Sequence, residues 1–293
     1  MKRFVFLALA LSACDAERVE ETALERFQFE ARPGRPRIEV AIEDGSVEVQ
    51  GVEGSRTIEA EFTKKARSFD RETASTLLPR IEVSAKEVEE GARFRFEGRA
   101  ESIPPFGGDL RTDLKLRVPR EVEIEIATED GRIRIEGIDG RVRAESGDGR
   151  IVIAGASGEL RLRTDDGSIV GRDLDAAVDA ATDDGGIELE GAFRKLRAVT
   201  SDGSIHVDCR EWRTPTEGWV VRALDGSIEA VFPAEAAADI DATVSDGRIE
   251  SRLDSFASTS RGENDRRLRG KLGGGGPLLL FSAMDGRIEL AQR

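Results

Sequence analysis

The 293-residue sequence has no tyrosine, one histidine, two tryptophans and two cysteines, and aromatic residues make up only 5% of it. A chain so short of rings has few platforms on which sugars or bases could stack. One histidine and two cysteines cannot supply a Cys/His metal set, and no nucleophile stands with a base. The sequence therefore nominates no catalytic residue, no cofactor and no metal ligand. His206 alternates outward on a strand pattern and reads as an exposed surface residue rather than a general base. Cys209 alternates inward with Ile205 and Val207 and reads as a buried, inert thiol rather than a reactive one. Apolar runs are short as well: Phe4 to Leu11 is too brief to span a bilayer. Basic excess is also missing. A formal net charge of −14 argues against nucleic acid and against docking on an anionic lipid surface.

What the chain has in quantity is Asp-Gly. Between residues 130 and 205 it recurs every 18 residues, at Asp130-Gly131, Asp148-Gly149, Asp166-Gly167, Asp184-Gly185 and Asp202-Gly203. Short alternating runs follow each turn, as in Ile133/Ile135 and Ile151/Ile153, which is the pattern of a strand buried on one face. In coils of 18 the inward residues form columns. One is Ile133, Ile151, Ile169, Ile187, Ile205; the facing one is Val142, Leu160, Val178, Leu196. A third carries hydroxyls: Thr128, Ser146, Thr164, Thr182, Thr200. Antiparallel hairpins would also suit turns every nine residues, but a meander gains nothing from identical residues 18 apart. A solenoid does, because such residues lie on top of one another. The predicted fold is all-β, a parallel β-solenoid (β-helix) of about 18 residues per coil, with two short strands per coil at about 4.8 Å per rung.

Like charges one rung apart repel by about 0.9 kcal/mol in bulk water. An Asp accepting backbone N–H groups at its own turn regains about 0.5–1.5 kcal/mol, and the glycine is expected to supply φ > 0. A calcium-binding ladder is the competing reading. The Gly-Gly-x-Gly-x-Asp loop of calcium-binding nonapeptide rolls is missing, however.

Lys2 and Arg3, the apolar run and Leu11-Ser12-Ala13-Cys14 together make an export signal over residues 1–13. The last four residues resemble the bacterial lipobox, which implies cleavage before Cys14 and lipid attachment to its thiol. Several acyl chains on one residue give stable anchoring. Only Cys209 would then remain, so no intrachain disulfide can form. Residues 14–35 read as a lipidated Cys and tether, partly helical, and residues 36–293 as a single solenoid domain. Its first rungs lie at Arg37 to Val49. A helical and hairpin insertion occupies about 63–92, with Lys64–Leu78 as the helix, ended by Pro79, and Ile81/Val83 and Phe94/Phe96 as strands. The coils of 206–293 are looser, with Asp-Gly steps of 23, 21 and 39. Asp285-Gly286-Arg287-Ile288 reads as the last rung, closing the stack.

The lipobox, the repeated Asp-Gly-Ser/Arg-Ile turns, the Val118-Pro119 lead-in and the Gly-rich segment before the final Asp-Gly-Arg-Ile resemble a bacterial "putative adhesin" domain family of unknown function. The resemblance covers roughly 37–291. It implies a β-solenoid and a cell-envelope protein, on the periplasmic side of the inner membrane or at the outer membrane, and brings no catalytic residues. One outward column is unusual: Val152 and Val170, with Arg134 and His206 beside them, form a candidate contact face. Two readings of function follow. One is an envelope-anchored, non-catalytic interaction scaffold whose partner is a protein or glycan and which touches the membrane through its lipid. The other is a passive structural or stress-related lipoprotein without a discrete ligand.

Overall fold

The computed structural model describes residues 2–6, 18–101, 108–261 and 266–293. Expected as one domain, the chain groups into two compact units, Met1–Gly149 and Arg150–Arg293.

The first unit contains β1 Lys2–Phe6, β2 Val19–Glu30, β3 Arg37–Asp44, β4 Val47–Val52, β5 Thr57–Ser68, α1 Arg71–Leu77, β6 Ile81–Glu89, β7 Arg93–Ala100, β8 Asp109–Pro119, β9 Glu121–Asp130, β10 Ile133–Glu136 and β11 Asp139–Ser146. Its middle is parallel. β3 lies between β7 and β9, β4 between β8 and β10, and β9 also pairs with β11. The first rung in sequence is thus second in space. Beyond the parallel strands the pairing turns antiparallel, through β8–β5–β2–β1 on one sheet and β7–β6 on the other. The hairpin expected around 81–96 is β6–β7.

Two expectations for this unit are corrected. Residues 19–30 are no tether: all twelve pair with β5. Their inward side carries Phe27 and Phe29, 7% and 5% exposed, against Phe62, Phe94 and Phe96 at ring separations of 5.5–5.9 Å. The helix is also shorter than predicted. Lys64–Ser68 is strand because β2 and β8 bond it from both sides, and such pairing overrides a weak local preference. Helix α1 begins only at Asp70, whose carboxylate accepts the Thr73 N–H at 2.7 Å. It covers Ala66, Ile81 and Leu110 with Leu77. Lys2–Phe6 forms β1, while Cys14 lies outside the described residues.

The second unit contains β12 Ile151–Ala154, β13 Ser157–Thr164, β14 Ile169–Asp184, β15 Ile187–Asp202, β16 Ile205–Cys209, β17 Trp219–Asp225, β18 Ile228–Phe232, β19 Ala238–Arg252, β20 Phe256–Arg261, β21 Arg267–Leu272 and β22 Leu278–Gln292. Ile151, Ile169, Ile187, Ile205 and Ile228 are successive parallel partners, and each is at most 1% exposed. The facing column runs Leu160, Val178, Leu196 and then Trp219. These are the stacked side chains that the sequence period demands, and identical neighbours share one pocket shape from rung to rung. The end of the stack is not where the sequence puts it. β22 sits between β17/β18 and β19, so Asp285–Ile288 is the penultimate rung. β19 lies outside it, with β21 and β20 added antiparallel. The physical reason is burial: Leu279, Phe281, Ile288 and Leu290 are at most 1% exposed and need a neighbour on both sides.

The turns work differently from the sequence reading. Among the described residues, no side-chain hydrogen bond reaches the carboxylates of Asp130, Asp148, Asp184 or Asp202. Backbone groups tie the turns to the neighbouring winding instead, with the Gly185 N–H donating to the Asp202 carbonyl at 2.8 Å and that of Gly203 to Asp225 at 2.9 Å. The hydroxyl column supplies the rest. Ser146 donates to the Gly131 carbonyl at 3.0 Å, Thr182 to Gly167 at 2.9 Å and Thr200 to Gly185 at 3.0 Å. Positive φ is not the general reason for glycine either: of the five repeated turns only Gly203 shows it, at +148°. Close approach is. A Cβ on Gly149 would lie 1.8 Å from the Gly131 carbonyl oxygen, and one on Gly185 2.2 Å from that of Gly167.

Candidate functional site

The outward column nominated by the sequence exists as a row. Val152, Val170, Glu188, His206 and Glu229 are consecutive register partners. Its chemistry is not that of an apolar contact face. Val170 is buried, 4% exposed, which corrects the expectation that it faces solvent. Two residues along the same strand, Arg172 reaches Glu188, the register partner of Val170, at 3.3 Å. Val152 is half-buried. His206 Nδ1 lies 3.2 Å from Glu229. Arg134 belongs to the first unit, where it faces Glu48 in register and pairs with Glu136. Cys209 is buried as expected, and burial pushes its thiol up to about 12, which suppresses the reactive thiolate. Trp219 fills the interior beside Phe193, Trp212 and Phe232.

A more developed surface lies on the outward face of the first unit, across β2, β5, β8, β4 and β10. The register aligns Arg26, Glu61, Lys115, Glu48 and Arg134 in one row of alternating sign. Arg26 meets Glu61 at 2.7 Å, and Lys115 meets Glu48 at 3.6 Å. The adjoining row carries Gln28, Glu59, Arg117, Gln50 and Glu136. Over these two rows lies a cavity of about 570 Å³. Exposed pairs contribute about 0–1 kcal/mol each, so this face adds little to stability.

At one end of the face Asp113 of β8 ties β5 to the β3–β4 turn. It accepts the Ser46 N–H at 2.9 Å and the Ser46 hydroxyl at 2.8 Å, and Lys65 lies 2.5 Å away. Burial alone would raise its carboxyl; Lys65 and Ser46 more than offset this and hold it below the ordinary value. Asp44 shows the opposite. Partial burial, and then Asp130 in register beside it, raise its carboxyl. The Asp130 contribution is the repulsion expected between stacked acidic turns. Among the described residues no group of three or more His, Cys, Asp or Glu is placed to hold a metal ion. No helix among them is long and apolar enough to cross a membrane.

Sequence reading missed this face because its two rows come from five strands, spread from residue 26 to residue 136. The alternation within each strand was visible; the lateral pairing was not.

Several solved structures resemble the chain at low sequence identity. A "putative lipid binding protein" from Parabacteroides distasonis is 16% identical, covering 91% of this chain and 96% of that one, with a TM-score of 0.49. A "putative adhesin" from Bacteroides fragilis is 13% identical over 92% of this chain and 97% of that one, with a TM-score of 0.44. A "putative cell adhesion protein" from Clostridium sporogenes is 11% identical over 93% of this chain and the whole of that one, with a TM-score of 0.34. No curated protein matches the sequence. Residues 36–291, nearly the whole stacked array, match the Toastrack DUF4097 domain, and the chain belongs to that family.

Proposed function

We propose that this protein is a non-catalytic interaction scaffold of the bacterial cell envelope, with windings of about 18 residues and a lipid anchor on Cys14. The observation that carries the reading is the laddered face of the first unit. Ten outward side chains on five strands are set in register, around a cavity of about 570 Å³. Such a face is prearranged for a polar partner, protein or glycan, because its side chains are already oriented by their neighbours before contact. A stacked sheet suits display, since the strands that carry the face are already paired before contact. The net charge of −14 keeps the body off an anionic bilayer, which leaves the acyl chains to hold it there.

Crosslinking in intact cells followed by mass spectrometry tests the scaffold. A reproducible partner crosslinked through residues 26–61 or 115–136 is expected. No reproducible partner would favour the passive structural lipoprotein instead. The anchor has its own test: labelled palmitate should enter the parent chain and not a Cys14→Ser variant, and label in both would remove the lipid from the proposal.

A further inference from the structure

The outermost strands of a stacked sheet present unpaired N–H and C=O groups, and native proteins blunt such edges with bulges, charge or brevity. Most terminal edges here are blunted. In the second unit, pairing of β20 is broken between Ser258 and Ser260. The Ile249–Arg252 end of β19 is short and crowded by ion pairs of Arg248, Glu250 and Arg252. In the first unit, pairing of β6 is broken between Glu87 and Glu89, inside the charged run Lys86-Glu87-Val88-Glu89-Glu90.

β2 is the exception. It pairs with β5 over twelve consecutive residues without a register shift, and it contains neither proline nor glycine. Its far edge is competent to pair, because a strand occupies it. Lys2–Phe6 lies antiparallel along it, from Lys2 opposite Gln28 to Phe6 opposite Leu24. That occupant belongs to the segment that the sequence marks for removal ahead of Cys14. Its loss would leave a straight, unbulged edge beside Arg26 and Gln28, the two residues that begin the laddered rows.

We propose that the Leu24–Gln28 edge of β2 is a strand-addition site in the processed protein, taking an extended segment of a partner protein in the place held here by Lys2–Phe6. Main-chain hydrogen bonds supply the affinity in this mode, and alternate side chains supply the specificity. The segment is β-prone, rich in aromatic and β-branched residues like Phe4-Val5-Phe6, since an added strand must itself be extended. This proposal rests on the reading above that residues 1–13 are removed.

Two measurements separate that reading from the edge itself. The intact mass of the protein extracted from membranes in detergent shows whether residues 1–13 are gone, and their retention overturns the processing step. A fluorescent peptide of residues 1–8 then tests the edge, on the extracted protein or, should the leader be present, on its Val5→Pro variant. Saturable binding is expected, with slowed amide exchange at residues 24–28. A peptide N-methylated on alternate residues should bind about tenfold or more weakly, because it loses several backbone bonds. Absence of saturable binding, protection elsewhere than 24–28, or equal binding of the N-methylated and unmodified peptides would overturn the edge.

Discussion

Replacing Gly185 by alanine isolates the reason for glycine in the repeated turn. Its φ lies outside the left-handed range, so an alanine can adopt the backbone. The obstacle is the neighbouring winding. The added Cβ would sit 2.2 Å from the Gly167 carbonyl oxygen, where ordinary contact begins at 3.4 Å, so about 1.2 Å must be found by separating two bonded strands. Overpacking of this kind costs about 1–3 kcal/mol, and the Gly167 carbonyl also accepts the Thr182 hydroxyl, which the shift would stretch. Restricting the unfolded chain returns about 0.4–1 kcal/mol. The net expectation is a loss of about 1–3 kcal/mol, or roughly 2–12 °C in melting temperature. Gly186→Ala is the internal control: its Cβ would meet only the Ser204 carbonyl oxygen, at 3.5 Å. It should be neutral or slightly stabilising. Urea and thermal unfolding followed by circular dichroism read both. Equal effects from the two substitutions, or no effect from Gly185→Ala, would refute the close-approach argument.

Three further outcomes follow from the same geometry. Thr200→Val keeps the shape but removes the donor to the Gly185 carbonyl, and should cost about 1–2 kcal/mol in urea unfolding, whereas Asp202→Asn should stay within about 0.5 kcal/mol. Asp113→Asn should destabilise the first unit by about 2 kcal/mol at neutral pH. Since the native carboxyl of Asp113 is held low, the stability it contributes is present above its unfolded value and is lost as pH falls through the folded one, so the gap between parent and variant should close only in strong acid. Asp44 has the opposite sign: its folded carboxyl is raised, so its charge is a penalty at neutral pH that is relieved as pH falls through the folded value. Asp44→Asn should therefore raise the melting temperature at pH 7 and leave it unchanged below the ordinary carboxylate range; a lowered melting temperature at pH 7 would show that the acidic column is not repulsive.

Much of the architecture was legible because a repeat writes tertiary contacts into the sequence. Ile151, Ile169, Ile187 and Ile205 are equally spaced, alternate with polar residues, and turn out to be direct partners. The hydroxyl column was also visible, though its role as donor to turn carbonyls was not, because the acceptors lie on a different winding. Strand identity at Lys64–Ser68 and Val19–Glu30 was hidden for a related reason: those residues gain their conformation from partners dozens of positions away.

By itself the sequence determined the strand period, the inward columns and the family, because each depends on residues at constant separation along one chain. The tertiary structure alone decided which rung lies next to which at either end, that β3 and β22 slot inside later or earlier strands, and that ten scattered side chains meet on one face. A column residue fits any rung equally well. Only the burial and hydrogen bonding of whole strands, summed over the folded unit, selects the order in which they stack.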